Sequence, residues 1–255
     1  MVPSSRGRCG WHDQRVDDLA PALARVPRMA RFVTAFGAAT LDPGRVEAAT
    51  NDWPDADWEG LAAAVGATSH ALQHLTSPHE AGDAARWAQA GALAQADLLR
   101  RTIETLRRLK YRPTGGFCAF ALADVSPAGG FGLLDHQRRA KPSRQAVADA
   151  CRPVIVTADL PSTAARPRTT TLIHVVSDLR TPLDPVEVTA VLHHPDGTSE
   201  TRGWVGAVAA DSVEGVATLP MRWRGTGIAI LHLSLVATGP DGPLTADYRY
   251  SVPVR

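Results

Sequence analysis

The sequence predicts an α/β half over residues 1–152 followed by an all-β half over residues 153–255, the latter an immunoglobulin-like β-sandwich. Three observations predict this. Apolar residues recur at three- and four-residue steps from Ala84 to Tyr111, the mark of an amphipathic helix. A continuous apolar run, Phe117 to Leu122, is bounded by glycine and aspartate. From Pro153 onward, short alternating segments recur at about ten-residue intervals between turn signals.

In the first half, Asp17 to Arg25 reads as a short helix with Leu19, Leu23 and Val26 on one face, and Ala30 to Ala35 as a short strand. The main helix, Ala84 to Tyr111, aligns Trp87, Gly91, Ala94, Leu98, Leu106 and Leu109; Glu104 and Arg108 stand four apart on its other face. Arg112-Pro113-Thr114-Gly115-Gly116 stops it. The run Phe117–Leu122 reads as a strand buried on both faces, as in a parallel sheet, and Ser143 to Ala150 as a closing helix. Two parallel strands cannot cover both faces of a sheet. The rest of this sheet must lie in the helical segments or be missing.

In the second half, the strands expected are VIVTA, TTLIHVVS, VEVTAVLH, SETRGWVG, VEGVATL, GIAILHLSLVA and TADYRYSV. His194-Pro195-Asp196-Gly197 and Pro240-Asp241-Gly242 are the clearest turns between them. Trp204 and Trp223 read as packing residues, and His193-His194 as exposed hairpin residues.

The chain has 255 residues, 44% hydrophobic and 21% charged, with a net charge of +1. That balance suits a soluble globular protein and gives no reason to expect nucleic acid or an acidic membrane as partner. No apolar run approaches the ~18–20 residues of a membrane span. The start, MVPSSRGRCGW, lacks the apolar core of a signal peptide, so the expected location is cytoplasmic unless the true start lies upstream. Cys9, Cys118 and Cys151 form no disulfide or zinc pattern and read as buried or idle thiols. His70 and His74 stand four apart with no third ligand, and Gly129-Gly130 is followed by no phosphate-loop helix. No metal or cofactor is expected.

Arg31-Phe32-Val33-Thr34-x-Phe36-Gly37 resembles the stretch that ends strand seven of the catalytic barrel in family 2 glycoside hydrolases, β-mannosidase-like members especially. Gly116 to Asp124 is similar to the family's eighth strand, which typically ends Trp-x-Leu-Asn-Asp. Ser126-Pro127, Phe131, Leu134-Asp135-His136 and Lys141-Pro142 follow at the spacing of the family's Trp-Pro, Ser-Trp, Ile-Asp-Tyr and Lys positions. The resemblance covers about residues 11–255. It implies the last two strands of a (β/α)8 TIM barrel over residues 1–152, with the active site at the carboxyl ends of the strands, and the family's C-terminal sandwich over 153–255.

The resemblance also implies that position 35 is the nucleophile position, a glutamate in the family. Here it is Ala35. Retaining glycosidases use two carboxyl groups about 5–5.5 Å apart, one attacking the anomeric carbon and one protonating the leaving oxygen. Alanine cannot attack, and the acid/base partner belongs to strand four, upstream of Met1. The expectation is a catalytically dead or truncated enzyme. Its ligand, if any, would be a β-linked sugar or glycan, and the missing N-terminal barrel portion is a possible partner.

Four further positions are candidate sugar contacts. Trp53 and Trp58 either stack on a sugar ring or pin a loop helix. Phe120 stands where the family usually has a tryptophan, keeping apolar contact without the N–H donor. Asp124 either holds a sugar hydroxyl or caps its loop, and Asp135 reads as a structural turn contact. Asp57 and its neighbours in DWPDADWEGL read as a capped helix start rather than replacement catalysts. A non-catalytic carbohydrate-binding or protein-interaction module is the alternative function.

Overall fold

The computed structural model describes residues 10–12, 23, 25, 28, 31–50, 53–160 and 168–254. The chain divides into two units, Met1–Ala150 and Cys151–Arg255, each taken below by itself.

Parallel pairing organises the first unit. Strand β1 (Gly10–His12) runs beside β3 (Ala35–Gly37), with Gly10 opposite Ala35. Strand β2 (Phe32–Val33) runs beside β5 (Gly116–Phe117), with Phe32 opposite Gly116. Residues 32–37 thus have a parallel neighbour on either side. Two further bonds, Cys118 N to Val33 O at 2.8 Å and Phe120 N to Phe36 O at 3.1 Å, carry the second ladder to Phe120. Strand β4 (Thr40–Leu41) then pairs antiparallel with β6 (Gly129–Gly130).

One long helix covers this ribbon. Ala84–Arg108 starts at Asp83, whose carboxylate accepts from Arg86 N at 2.7 Å and so satisfies an amide that has no partner within the helix. Its buried Leu99, Ile103 and Leu106 join Val33 and Phe36 in one apolar cluster. Nearer its start, Trp87 and Ala88 join Leu41, Val46, Leu61 and Leu72 in another. Each fully buried Leu, Ile or Phe contributes roughly 1.5–3 kcal/mol over an exposed one. Gly37 fixes how closely the strands approach: its φ is +146°, and a Cβ there would lie 2.7 Å from Phe120 O.

Several expectations change here. The run Phe117–Leu122 is a strand only over Gly116–Phe117. It is not buried on both faces: Cys118 is exposed, Phe120 is 49% exposed and Leu122 73%. The main helix ends at Arg108, and Tyr111 takes a left-handed φ of 62°. Glu104, on its other face, is 1% exposed and lies 3.6 Å from Arg100 Nε. β1 had no counterpart in the sequence reading. The helix expected over Asp17–Arg25 lies outside the described residues except for Leu23 and Arg25, both helical. Cys118 and Cys151 are exposed rather than buried and in no disulfide among the described residues, and Cys9 lies outside the described residues. The closing helix is Pro142–Ala150. No helix among the described residues is long and apolar enough to cross a membrane.

Among its described residues the second unit holds seven strands at the positions expected: β7 (Val154–Ala158), β8 (Arg168–Ser177), β9 (Leu183–His193), β10 (Ser199–Val208), β11 (Val213–Arg222), β12 (Gly227–Gly239) and β13 (Gly242–Val254). They form two antiparallel sheets, ordered β10-β9-β12-β13 and β11-β8-β7. Alternation decides which faces meet. Along β13, Ala246, Tyr248, Tyr250, Val252 and Val254 are buried while Asp247, Arg249 and Ser251 are exposed. Strands of both sheets contribute to a single apolar cluster. Tyr250 OH meets Thr157 Oγ1 at 3.4 Å, linking β13 to β7 and giving a buried hydroxyl its partner. Trp223 is buried in that cluster and Trp204 packs against it. His194 corrects the reading of the His193-His194 pair. It is 5% exposed, with its ring against Trp223 and its Nε2 3.7 Å from Glu200 Oε1, while His193 is exposed.

Candidate functional site

Two of the candidate positions, Ala35 and Phe120, stand at the carboxyl end of the parallel ribbon. Strand alternation turns Phe36 into the core, with no exposed surface and an edge-on contact to Phe117 at 6.1 Å. The same alternation turns Ala35 to the other face, where it is half-buried. Phe120 reaches this end of the ribbon through its amide bond to Phe36 O. The Phe120–Ala121 peptide bond is cis. Phe120's ring meets Phe131 at 5.7 Å and is otherwise half-exposed. Phe120 thus lies beside the carboxyl end of the strand that carries Ala35, the lip of the ribbon.

The other candidates stand elsewhere. Trp53, Trp58 and Trp87 form a three-indole cluster, with centroids 5.1 Å apart for Trp58 and Trp87 and 6.0 Å for the other two pairs. Trp53 Nε1 donates to Pro78 O at 3.1 Å, and Trp87 Nε1 to Thr76 O at 2.8 Å. Trp53 and Trp58 both pack against the Leu41–Leu61–Trp87 core, which is how they hold the helix Trp58–Val65 in place. That helix starts where DWPDADWEGL suggests: Asp57 caps it by accepting from Gly60 N at 2.9 Å.

Asp124 is 4% exposed and engaged through both oxygens by its own loop. Its Oδ1 accepts from Gly132 N at 2.6 Å, and its Oδ2 pairs with Lys141 Nζ at 3.1 Å. The same ammonium donates to Gly130 O at 3.1 Å. Burial lowers the Lys141 pKa below the ordinary lysine value, against the raising effect of the Asp124 charge and hydrogen bond. Sequence reasoning noticed Lys141 only as a motif position. The signal that could have found its partner is the rule that a buried carboxylate needs a cation or donors.

Asp135 is a turn residue as expected. Its Oδ1 accepts from Gln137 N and Arg139 N, each at 2.8 Å, and its Oδ2 from Arg139 Nε at 2.6 Å. Partial burial pushes its pKa up, but these hydrogen bonds and the guanidinium charge win and hold it below the ordinary carboxylate value. His70 and His74 stack at 5.4 Å, and no cluster of three or more metal-ligating side chains exists among the described residues.

Neither a family model nor a curated sequence matches the chain. Solved structures do. A β-D-mannosidase from Dictyoglomus thermophilum superposes with a TM-score of 0.66 at 14% identity, over 88% of this chain and 27% of that one. The exo-chitosanase CsxA of Amycolatopsis orientalis superposes with a TM-score of 0.56 at 16% identity, over 69% of this chain and 20% of that one. A variant of CsxA in complex with PNP-β-D-glucosamine gives 0.62 at 14% identity, over 86% and 27%. The likeness is one of fold. The fold is similar to part of a β-D-mannosidase and of an exo-chitosanase, and the chain spans about a quarter of the length of these structures.

Proposed function

We propose that this chain corresponds to the carboxyl-terminal portion of a β-mannosidase-like family 2 glycoside hydrolase. Residues 1–152 would be a partial (β/α)8 barrel and residues 153–255 an immunoglobulin-like sandwich. As this polypeptide, it does not cleave glycosides by the family's mechanism. One observation carries the reading: a half-buried methyl, Ala35, sits at the carboxyl lip of a parallel ladder where the resemblance requires a carboxylate.

A methyl group cannot bond to an anomeric carbon, and it offers no charge to an oxocarbenium-like transition state. Asp124 does not replace it, since Gly132 N and Lys141 hold its two oxygens. Asp42 is engaged in capping the helix Pro43–Ala48 through Gly44 N. The lineage's substrate is best read as a β-mannoside, with β-glucosaminide, β-galactoside and β-glucuronide as the alternatives. The exposure of Phe120 and Leu122 near the lip favours a second reading, a non-catalytic module that holds a glycan or a protein.

The test has two parts. The purified chain should release no nitrophenol from p-nitrophenyl β-D-mannoside or β-D-glucosaminide above the buffer rate; measurable turnover would overturn the claim of inactivity. Ala35→Glu should shift stability by no more than about 1 kcal/mol, because a half-exposed lip leaves the new carboxylate in water. Were position 35 ordinary core, an unpaired buried carboxylate would cost several kcal/mol and the melting transition would collapse.

A further inference from the structure

We propose that a cavity in the first unit, separate from the Ala35 lip, binds a hydroxyl-rich ligand the size of a sugar ring, with neutral and cationic forms preferred over anionic ones. The cavity has a volume of about 460 Å³, within the range of small-molecule sites. Of the candidate sugar contacts Asp124 lines it, while Trp53, Trp58 and Phe120, like Ala35, do not.

Its lining combines two chemistries. Ala85, Ala88 and Ala92 recur at three- and four-residue steps on the helix Ala84–Arg108, so they share one helix face. Being alanines, they leave open the space that longer side chains would fill. With Leu41, Pro43 and Pro127 they give an apolar surface suited to the flat face of a pyranose. The remainder is polar and includes Asp42, Asp124, Asp135, His136 and Lys141.

These polar groups are held in place and keep capacity to bind. Lys141 has three N–H donors; Asp124 Oδ2 and Gly130 O take two of them, which leaves one for a ligand oxygen. A carboxylate has about four lone-pair sites, and Asp124 uses one on each oxygen, for Gly132 N and Lys141. A hydroxyl, which both donates and accepts, matches this mixed set better than a pure acceptor does. Charge sets the preference among such ligands. Asp135 is paired with Arg139 and Asp124 with Lys141, which leaves Asp42 as the lining carboxylate with no ion pair among the described residues. A carboxylate-bearing ligand would meet repulsion there, and an ammonium would meet attraction.

Titration calorimetry on the intact chain with mannose, glucosamine and glucuronate tests this. Mannose and glucosamine should bind in the millimolar range, glucosamine at least as tightly, and glucuronate about tenfold more weakly. Ala85→Leu and Ala92→Leu extend side chains into the cavity from half-buried helical positions. Each should weaken binding about tenfold with the far-ultraviolet circular dichroism unchanged. Phe120→Ala, a lip change, should leave binding as it is. Absence of heat with all three sugars overturns the proposal, and so does tightest binding by glucuronate. If Phe120→Ala abolishes binding while both leucine variants retain it, the sugar sits at the lip; the cavity proposal then falls and the functional reading above stands. Nitrophenyl turnover together with leucine-sensitive sugar binding would do the opposite, sinking the functional reading and supporting the cavity.

Discussion

The central strands of the two units differ in how much backbone they share with their neighbours. β12 and β13 are 13 residues each and pair end to end, and β12 pairs on its other edge with β9. In the first unit, β2 has two residues and β3 three, and the ladder reaches Phe120 only through single amide bonds. A long ladder repeats the same information many times, so no one residue decides its position. A short ladder depends on the few groups that brace it, here Phe36 against Leu99 and Ile103, and the glycine at position 37. Damage should therefore stay in the sheet in one unit and reach the helix in the other.

The largest expected effects come from emptying each core. Leu233→Ala removes a fully buried side chain from β12 and should cost about 2–5 kcal/mol; Phe36→Ala should cost about 3–5 kcal/mol. Urea unfolding reads the loss, and native-state hydrogen exchange shows where it falls. Leu233→Ala should deprotect amides of β9, β12 and β13. Phe36→Ala should deprotect the helix Ala84–Arg108, since that fully buried ring shares one apolar cluster with its Leu99, Ile103 and Leu106. Unchanged helix protection in Phe36→Ala would break the contrast.

Glycines sharpen it at lower cost. Gly37→Ala places a Cβ 2.7 Å from Phe120 O at a φ of +146°, and should destabilise by roughly 1–3 kcal/mol. Gly203, on an exposed position of β10, has no left-handed φ, and a Cβ added there would meet no atom within 4 Å. Gly203→Ala should be neutral or stabilise by about 0.4–1 kcal/mol through the unfolded chain. Thermal melts of the two variants side by side give the comparison. A Gly37→Ala protein as stable as its parent would show that the strand at position 37 can move away from Phe120.

The same difference explains what could be read in the sequence. The seven strands described in the second unit were legible because alternation and turn residues are local properties, and each strand carries enough residues to display them. β1 was not legible, since three residues, Gly10 to His12, display no period. The apolar run after Gly116 misled for a related reason. A continuous run signals burial on both faces only if both faces are covered, and coverage depends on residues far away in sequence. Asp124 with Lys141, 17 residues apart, and His194 against Trp223 are likewise facts of tertiary structure. The engagement of Asp124 by its own loop, and of Trp53 with Trp58 and Trp87, was open until the partners were seen.

The smallest effects lie in two turns, one in each unit. Asp135 accepts from Gln137 N and Arg139 N and is paired with the Arg139 guanidinium. Asp196 accepts from Thr198 N at 2.9 Å and Thr198 Oγ1 at 2.6 Å. Both carboxyl groups are held below the ordinary value of 3.8, Asp196 by its Thr198 hydrogen bonds first of all, and Asp135 by hydrogen bonds and charge that outweigh its burial. The unfolded state then binds more protons than the folded one just below pH 3.8, so stability falls as the medium becomes more acid. The contribution is fully present above 3.8 and is lost as pH drops through each lowered folded value. Asp135→Asn and Asp196→Asn should each flatten the acid limb of the melting temperature against pH and leave the neutral region nearly unchanged. Salt separates the two turns. Asp135 owes part of its shift to an exposed guanidinium, so added salt should shrink its effect; Asp196 relies chiefly on hydroxyl and amide donors that salt does not screen. If salt erased both effects equally, the hydrogen bonds at Asp196 would not be what lowers its pKa.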